Sequence, residues 1–332
     1  MKARFINELT EGCRVDSTFV LRSREMRAAR NGDAYLSLEL GDRTGSIPGV
    51  MFRPGADAGG VPAGGAVRVR GTVTVYRGIR RVSVEHLEPT AEWSVEDLVG
   101  SGVRDRNELV AELRQLVRKV KDPGLRRLLR TVFGDKAFFE SFVMCPASQG
   151  YHHAYIGGLL EHTVSVASLC VDAADRYDGI DADVLVAAAL LHDIGKVDEL
   201  TFSTGIAYSD SGRLMGHVVS GAMRLRDASA RVDLDADVLL RLEHAVISHH
   251  GELEWGSPKR PSTFEALLLH HIDNLDAKAA GFAALLSGAT IIEENWTDAA
   301  NLFRRPLYAP KPVDDDRPTR PTEDDAHFRL SA

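Results

Sequence analysis

The stretch LLHDIGK, Leu190 to Lys196, decides how the second half of the chain folds. It closes the apolar run Val184 to Leu191, which predicts a buried helix that ends in a His-Asp pair. An imidazole nitrogen beside a carboxylate suits a divalent cation. Gly195 is expected to end the helix in the left-handed conformation, and the charge of Lys196 could hold a phosphate. The pair alone decides nothing, because a helix C-cap with a satisfied histidine explains it equally well.

Further histidines and an aspartate fall on the apolar faces of four other predicted helices. His162 aligns with Leu159 and Val166, and a polar group in such a stripe needs a partner. The same placement holds for His217 in RLMGHVVSGAMRLRDAS, where it aligns with Leu214 and Leu225, for His249 and His250 at the end of DADVLLRLEHAVISHH, and for Asp273 in FEALLLHHIDNLDAK. One such residue is usually a feature of core packing. Five helices that each direct a metal-ligand side chain inward favour a metal centre.

The resulting order, H…HD…H…HH…D, resembles the HD superfamily of metal-dependent phosphohydrolases over roughly residues 151–281. The resemblance implies an all-helical domain. It implies seven metal ligands, the last three of which match the additional histidines of two-metal members: His162, His192, Asp193, Asp273, His217, His249 and His250. It also implies that Asp193 bridges the ions and that Lys196, the lysine of an HDxxK motif, acts in catalysis.

The same resemblance bounds the cofactors. Gly158 stands where three-metal relatives have a glutamate, and the signature of the HD-GYP phosphodiesterases is missing. We expect two divalent cations per chain, with Mn²⁺ first and Co²⁺, Fe²⁺ or Mg²⁺ as alternatives, and attack on phosphorus by metal-activated water. The three cysteines lack CxxC spacing, so neither disulfides nor a thiolate zinc site is indicated.

Residues 1–90 show alternating hydrophobicity and predict an all-β domain. Five strands are expected, in CRVDSTFVLRSREMR, DAYLSLELGD, GSIPGVMFR, AVRVRGTVTVY and IRRVSVEHLEP. Turns are expected at Asn31-Gly32, Gly41-Asp42 and Arg77-Gly78. Strands of this spacing predict a small barrel, and the pattern resembles an oligonucleotide-binding (OB) fold.

The charge balance of this segment favours a nucleic-acid partner. Residues 1–90 contain 14 Lys and Arg against 10 Asp and Glu, about +4, while the whole chain carries −8, so the remainder is about −12. The candidate strand-binding side chains are Arg22, Arg24, Arg68, Arg70, Arg77, Arg80 and Arg81, with Tyr35, Phe52 and Tyr76 to stack on bases. The alternative is an ordinary solvated arginine face with Tyr35 and Phe52 in the barrel core.

The remaining segments divide by composition. Residues 91–145 have helical periodicity, broken at Pro123-Gly124, and are expected to link the barrel to an HD domain over residues 146–303. Their basic residues could touch RNA, although a solvated helix face is the simpler reading. Residues 304–332 are rich in proline and charge, which predicts a disordered tail.

Within residues 146–303, five histidines fall outside the ligand order. His152 and His153 precede the first metal helix and are candidates for binding substrate in the cleft, with loop or helix-cap histidines as the alternative. His244, His270 and His271 are expected to serve helix packing or to orient the metal ligands.

The predicted fold class is therefore a two-domain chain, a small all-β OB-fold barrel followed by an all-α HD domain. This combination, with the blocks GGLLEHT, LLHDIGK and ISHHGE, is similar to the YhaM-type 3′→5′ exoribonucleases of bacteria. The resemblance implies Mn²⁺-dependent removal of nucleotides from the 3′ end of single-stranded RNA, with single-stranded DNA and a homo-oligomer left open. No apolar run indicates a signal peptide or a membrane span, so a cytoplasmic protein is expected.

Two other functions compete with this one. The first is a nucleotide or cyclic-dinucleotide phosphohydrolase, which would have no need of a strand-holding barrel. The second is a nucleic-acid-binding protein whose HD domain only senses a nucleotide, which would have no need of the complete ligand set.

Overall fold

The structure, a computed structural model, describes residues 2–28, 32–55, 62–102, 104–150, 152–288, 291–293, 295–299 and 301–310. Its N-terminal part is a closed barrel of five strands: β1 (Arg14–Ala28), β2 (Ala34–Asp42), β3 (Gly45–Phe52), β4 (Ala66–Tyr76) and β5 (Ile79–Pro89). The order around the barrel is β1-β2-β3-β5-β4, with β3 parallel to β5 and the other pairs antiparallel. This Greek-key arrangement confirms the predicted OB-fold barrel.

The barrel closes because alternate side chains of each strand point inward and are apolar. Phe19 of β1, Leu40 of β2 and Val67 of β4 are fully buried in one hydrophobic cluster. Tyr35 and Phe52, for which a core position was the alternative, are not members of this cluster, and Phe52 is 54% exposed. For Phe52 the core alternative is therefore wrong.

Two of the three predicted turns lie within the described residues. Arg77-Gly78 is confirmed, because it connects β4 to β5 with φ angles of 53° and 80°, as a type I′ hairpin requires. Gly41-Asp42 is wrong by two residues, because both residues stay in β2 and the turn is made by Arg43 and Thr44. The Asp42 carboxylate accepts hydrogen bonds from Thr44 N and Oγ1 at 2.8 and 2.6 Å, which stabilises the turn from the strand end. Asn31, in the third predicted turn, lies outside the described residues.

The chain after the barrel is mainly helical, which confirms the second part of the predicted fold class. Its helices are α1 (Val95–Leu98), α2 (Arg106–Lys119), α3 (Pro123–Gly134), α4 (Lys136–Met144), α5 (Gly158–Ala174), α6 (Ala182–Leu191), α7 (Lys196–Glu199), α8 (Asp210–Ser229), α9 (Ala236–Ser248) and α10 (Phe264–Gly288). A short hairpin of β6 (Leu200–Phe202) and β7 (Ile206–Tyr208) precedes α8. Pro123 stands in the first turn of α3 after the N-cap Asp122, as the predicted helix break requires.

Helix α6 lies inside the helical core. Its residues from Val184 to Leu191 are all buried, and it packs against α3, α5 and α9. A helix that is apolar all round is stable only when it is covered on every side. The residues that follow it, His192 and Asp193, are therefore carried into the interior, where they are 0% and 2% exposed.

Two glycines shape the chain near this point, and one of them, Gly195, departs from its predicted role. Gly195 is not left-handed, since its φ is −71°; it is required because a Cβ there would lie 2.1 Å from the His217 carbonyl oxygen. Gly216 has a φ of 73° and breaks α8 just before His217. The alignment of Leu214 with His217 is therefore wrong, and Leu214 is 86% exposed. The close approach of α8 to Gly195 and the kink of α8 at Gly216 together direct the His217 side chain toward Asp193.

The chain forms two compact units, Met1–Ala280 and Gly281–Ala332. Within the first, the barrel meets α1, where the Arg43 backbone N–H donates to the Asp97 carbonyl at 3.1 Å. Within the second, β8 (Ile291–Glu293) pairs with β9 (Trp296–Thr297), and the Thr297 backbone N–H donates to the Leu307 carbonyl at 3.0 Å. Residues 311–332 of the predicted tail lie outside the described residues. Among the described helices, none has both the length and the apolar character that crossing a membrane requires.

Candidate metal centre

Four ligand atoms converge where α6 ends. His162 belongs to α5, His192 and Asp193 follow α6, and Asp273 belongs to α10. His162 Nε2 lies 3.2 Å from His192 Nε2 and 3.0 Å from Asp273 Oδ1. Asp193 Oδ2 lies 3.5 Å from His162 Nε2 and 3.2 Å from His192 Nε2. Two imidazole nitrogens and two carboxylate oxygens at these separations can surround one divalent cation.

A second group of ligand atoms lies on the other side of Asp193. His217 belongs to α8, and His249 and His250 follow α9. His217 Nε2 lies 3.1 Å from His250 Nε2, and Asp193 Oδ1 lies 3.5 Å from His217 Nε2 and 3.6 Å from His249 Nε2. The structure thus brings all seven predicted ligands together, with one oxygen of Asp193 facing each group.

The polar atoms at this point are not satisfied by the protein. Asp193 Oδ1 and His249 Nε2 are buried, and neither has a hydrogen-bond partner among the described residues. A buried polar atom left unsatisfied costs about 1–3 kcal/mol. The Nε2 atoms of His217 and His249 lie 3.5 and 3.6 Å from Asp193 Oδ1, so a cation between these atoms would satisfy them. The residues therefore fit two divalent cations.

Every imidazole in the set is oriented through its second nitrogen. The Nδ1 atoms of His192, His249 and His250 lie 2.8, 2.6 and 2.9 Å from the backbone carbonyls of Ala189, Val246 and Trp255. Those of His162 and His217 lie 2.7 and 2.9 Å from the carboxylates of Asp276 and Glu199. A hydrogen bond donated by Nδ1 leaves the lone pair on Nε2 and aims it into the site, as the partners of metal-binding histidines do.

Asp276 and Glu199 were not predicted from the sequence. Asp276 lies three residues after Asp273 on α10, so helical spacing places both carboxylates on one face. Glu199 lies three residues after Lys196 in α7. The spacing was the available signal for Asp276, whereas Glu199 is recognisable only once α8 is folded against α7.

Burial and neighbouring charges set the protonation of the site. Burial by itself would lower the pKa of His162, but hydrogen bonds to Asp273 and Asp276 outweigh burial and raise this pKa to about 9. Burial would also raise the pKa of Asp193, yet the Lys196 ammonium and His192 hold that pKa well below its ordinary value. Burial lowers the pKa of His249 far below the ordinary value. Asp193 and His249 are thus in the forms that bind cations, whereas a cation must displace a proton from His162.

Lys196 is buried within the site instead of standing free at its edge. Its Nζ lies 2.5 Å from Asp193 Oδ2, and the residue is 7% exposed. The ammonium neutralises a carboxylate that would otherwise be costly to bury. Lys196 also lines the cavity above the ligands, so its predicted contact with a phosphate stays a prediction.

A cavity of about 620 Å³ opens onto both groups of ligands, a size typical of small-molecule sites. His152 lines it, with its ring centre 5.1 Å from that of His162, and burial lowers the pKa of His152 to about 3. His153 is not among the lining residues. Its Nε2 lies 3.0 Å from Asp276 Oδ2 and its Nδ1 lies 2.7 Å from the Tyr155 hydroxyl. The structure therefore separates the pair, with His152 in the cavity and His153 behind His162.

The remaining histidines have the contacts expected of packing or orienting residues. His244 Nε2 accepts a hydrogen bond from the Ser262 backbone N–H at 2.8 Å. His270 Nδ1 lies 2.9 Å from the carbonyl oxygen of His249, and the rings of His270 and His271 lie 4.9 Å apart.

The barrel arginines differ in how far they are engaged by the protein itself. Arg68 forms an ion pair with Asp16 at 2.7 Å, and Arg80 donates to the Leu9 carbonyl at 2.7 Å. Arg22 donates to Ser46 Oγ at 2.5 Å. Arg24 and Arg70 are exposed on β1 and β4. The set is therefore no uniform row of free cations.

Half-buried or exposed aromatic side chains occur at two places on the barrel. Tyr35 of β2 and Phe52 of β3 are paired in the strand register, and their ring centres are 5.9 Å apart. Tyr76, at the tip of the β4–β5 hairpin, is 52% exposed, with the Arg77 and Arg81 guanidinium groups 5.4 and 4.4 Å from its ring centre. In OB folds, the β2–β3 face and the β4–β5 loop are the surfaces that bind oligonucleotides.

Family models match the helical part of the chain. The HD domain model matches residues 159–278, a range that contains all seven ligands. A second model, a helicase family named TraI_2, matches residues 103–180.

Curated relatives match most of the chain. The 3′-5′ exoribonuclease YhaM of Bacillus velezensis is 35% identical over 272 residues, which is 80% of this chain and 86% of the relative. YhaM of Bacillus subtilis is 34% identical over 271 residues, with the same two coverages, and YhaM of Shouchella clausii is 32% identical over 83% of this chain and 87% of its own. Among solved structures, the second OB-fold domain of replication protein A from Methanococcus maripaludis is 24% identical and has a TM-score of 0.23. It covers 27% of this chain and 96% of its own.

Proposed function

The chain belongs to the YhaM family of 3′-5′ exoribonucleases, and on that premise we propose that it shortens single-stranded RNA from the 3′ end by metal-dependent hydrolysis at the site around Asp193. One observation carries the assignment of the site. The two oxygens of the buried Asp193 face two separate histidine groups, and Oδ1 lacks a hydrogen-bond partner among the described residues. In this position the Asp193 carboxylate would be able to offer one oxygen to each of two cations.

The roles of the protein side chains follow from their contacts. His162, His192 and Asp273 would hold one cation, and the histidines that face Asp193 Oδ1, namely His217, His249 and His250, would hold the other. When bound, two divalent cations activate a water nucleophile and neutralise the charge of the phosphodiester. Asp276 and Glu199 hold the imidazoles in place through Nδ1, so that the Nε2 atoms need not reorganise.

Lys196 and His152 complete the substrate side of the site. Lys196 pairs with Asp193 and also lines the cavity, so its ammonium would be within reach of a nonbridging phosphate oxygen of a substrate bound there. His152 lines the same cavity as a neutral imidazole and can contact the sugar or phosphate of the bound nucleotide. We propose both as substrate-binding residues.

We propose that the barrel binds the single-stranded RNA. We propose that Tyr35, with Phe52 and Tyr76, stacks on bases and that Arg22, Arg24, Arg70 and Arg77 contact phosphates. Stacking is tolerant of sequence, which suits an enzyme that must pass every base. The cytoplasm is the compartment we propose, because RNA is made and turned over there.

Mn²⁺ is the cation we propose, at about two ions per chain, because the donors are imidazole nitrogens and carboxylate oxygens without thiolates. Elemental analysis of the Mn²⁺-loaded and desalted protein measures the stoichiometry. A value that stays near zero under varied loading would rule out the metal-dependent reaction.

The function is tested on three substrates: 5′-labelled RNA, a cyclic dinucleotide and a set of deoxynucleoside triphosphates. The expected result with Mn²⁺ is a ladder of progressively shorter labelled RNA and little turnover of the other two. Immediate release of a labelled mononucleotide would mean the opposite polarity. Rapid turnover of the cyclic dinucleotide or the triphosphates, with intact RNA, would assign the site to a small-molecule phosphohydrolase instead.

A further inference from the structure

A half-exposed tryptophan stands at the rim of the metal centre. Trp255 is 52% exposed and lines the cavity that opens onto both ligand groups. Its backbone carbonyl accepts the hydrogen bond from His250 Nδ1 at 2.9 Å. A large apolar ring left half in water is costly, and here it is covalently attached to a group that orients a metal ligand.

The indole packs against a buried histidine of α10. The Trp255 ring rests beside the ring of His270, with centres 5.9 Å apart, and His270 is 8% exposed and bonded to the His249 carbonyl. Gly251, which follows the histidine pair, has a φ of 79°, and a Cβ there would lie 2.2 Å from His270 Cε1. One side of the indole is therefore in contact with His270, while its exposed part faces the cavity beside the metal ligands.

A positive charge lies at the edge of the same ring. Lys278 is exposed on α10, one turn and a half beyond Asp273, and its Nζ lies 5.8 Å from the centre of the Trp255 ring. Lys278 also lines the cavity. An aromatic plane next to a cation is the combination with which single-strand grooves hold a base and its phosphate.

We propose that Trp255 is the stacking platform for the base of the 3′-terminal nucleotide, and that Lys278 attracts the backbone phosphate that enters with it. This inference rests on the proposed exoribonuclease function. A cavity of about 620 Å³ is suited to a ligand of one-nucleotide size, so the base beside the cations is that of the nucleotide to be released. Because Trp255 is tied to His250, stacking sets the scissile phosphate at a constant distance from the metal ligands for every base.

The platform predicts discrimination by the presence of a base and not by its identity. Two RNA strands are compared, identical except that the 3′-terminal residue of one is abasic. The wild-type enzyme is expected to process the complete strand with a kcat/KM about 5- to 150-fold higher, which is the range for the loss of one stacked base. Trp255→Ala is expected to bring this ratio close to one, and Trp255→Phe to restore most of it.

A binding measurement separates the platform from catalysis. An oligoribonucleotide added to the metal-free protein should quench the indole fluorescence, and Trp255→Phe should remove that part of the quenching. Tyr177→Ala is the matched control, because Tyr177 is 53% exposed but is not among the residues that line the cavity. Its ratio between complete and abasic strands should equal that of the wild type.

The two proposals fail in different ways. A wild-type protein that leaves both RNA strands intact in the presence of Mn²⁺ would overturn the proposed function. A wild-type protein that shortens RNA, with Trp255→Ala keeping the full preference for the complete strand, would overturn the platform alone. Quenching that survives in Trp255→Phe would also count against it, since the responding indole would lie elsewhere.

Discussion

The barrel surface and the metal centre satisfy their polar groups in opposite ways. On the barrel, Arg68 is paired with Asp16 and Arg80 with a backbone carbonyl, so the protein itself supplies partners for these charged groups. In the metal centre, Asp193 Oδ1 and His249 Nε2 are buried without a hydrogen-bond partner among the described residues. These barrel arginines find partners within the protein, whereas the buried polar atoms of the metal centre would find theirs in bound cations.

This difference predicts how each region responds to substitution. Binding by the barrel is spread over several exposed aromatic and basic side chains, each worth little because water screens it. The chemistry is concentrated on atoms that several ligands share, and Asp193 belongs to both groups. Single substitutions should therefore have large effects at the centre and small, additive effects on the barrel.

The largest effect is expected for Asp193→Ala. Losing the bridge should lower RNA hydrolysis by more than about 10³-fold, because both cation sites lose a ligand. Lys196 would also be left unpaired in the interior, so Asp193→Asn, which keeps the shape, should be measured beside it, with folding checked by circular dichroism. Mn²⁺ should raise the melting temperature of the wild type but not of either variant. A folded Asp193→Asn enzyme with wild-type activity would contradict the bridging role.

His244→Ala is the control for this substitution, since His244 is a half-buried residue of α9 in the same helical region and its ring accepts a hydrogen bond from the Ser262 backbone N–H. It should cost about 1–3 kcal/mol of unfolding free energy. At a temperature where the variant is folded, its kcat should stay close to that of the wild type. A loss of activity like that of Asp193→Ala would mean that the core, and not the bridge, limits the reaction.

An intermediate effect is expected for the two orienting carboxylates. Asp276→Asn and Glu199→Gln should each weaken Mn²⁺ binding by about 10- to 100-fold, because the ring of His162 or His217 loses its charged partner. Calorimetric titration should show one weakened site and one normal site, with the two variants affecting different sites. Equal weakening of both sites by either variant would mean a general loosening of the core.

The same contrast explains what the sequence could reveal. The strands and the ligand order were predictable, because alternation and helical spacing report which side chains point inward, as for Phe19 in β1 and His162 in α5. The role of Gly195 was not, because its close contact with the His217 carbonyl exists only after α8 has folded over α7. The role of Glu199 in orienting His217 could not be predicted for the same reason. Local periodicity does not contain contacts between elements that are distant in the chain.

A smaller effect is expected for the aromatic pair on the barrel. Tyr35→Ala and Phe52→Ala should each weaken RNA binding by about 5-fold, the lower end of the range for one stacked base, because each removes one stacking ring at the barrel surface. Metal content and the kcat at saturating RNA should be unchanged. Both residues belong to the barrel, whereas the metal ligands belong to the helical region, and neither residue is part of the barrel core. The measurement is RNA affinity by anisotropy with the catalytically inactive Asp193→Asn background. If Tyr35→Ala and Phe52→Ala are combined in this background and RNA affinity is unchanged, the barrel serves another partner.

The smallest effect is expected for single arginines, and it separates contact from net charge. Arg77→Gln at the hairpin tip and Arg68→Gln on β4 remove the same charge. Of these two arginines, only Arg68 forms an ion pair with a carboxylate of the described residues, Asp16 at 2.7 Å. If Arg77 contacts one phosphate, its loss should reduce the slope of log affinity against log salt by about 0.7, the value for one contact on a single strand. Arg68→Gln should leave the slope nearly unchanged. Equal slopes for the two variants, both below that of the wild type, would show that the barrel attracts RNA through its overall charge. The assignment of Arg77 to a phosphate would then be wrong, although the aromatic surfaces beside it would keep their predicted role.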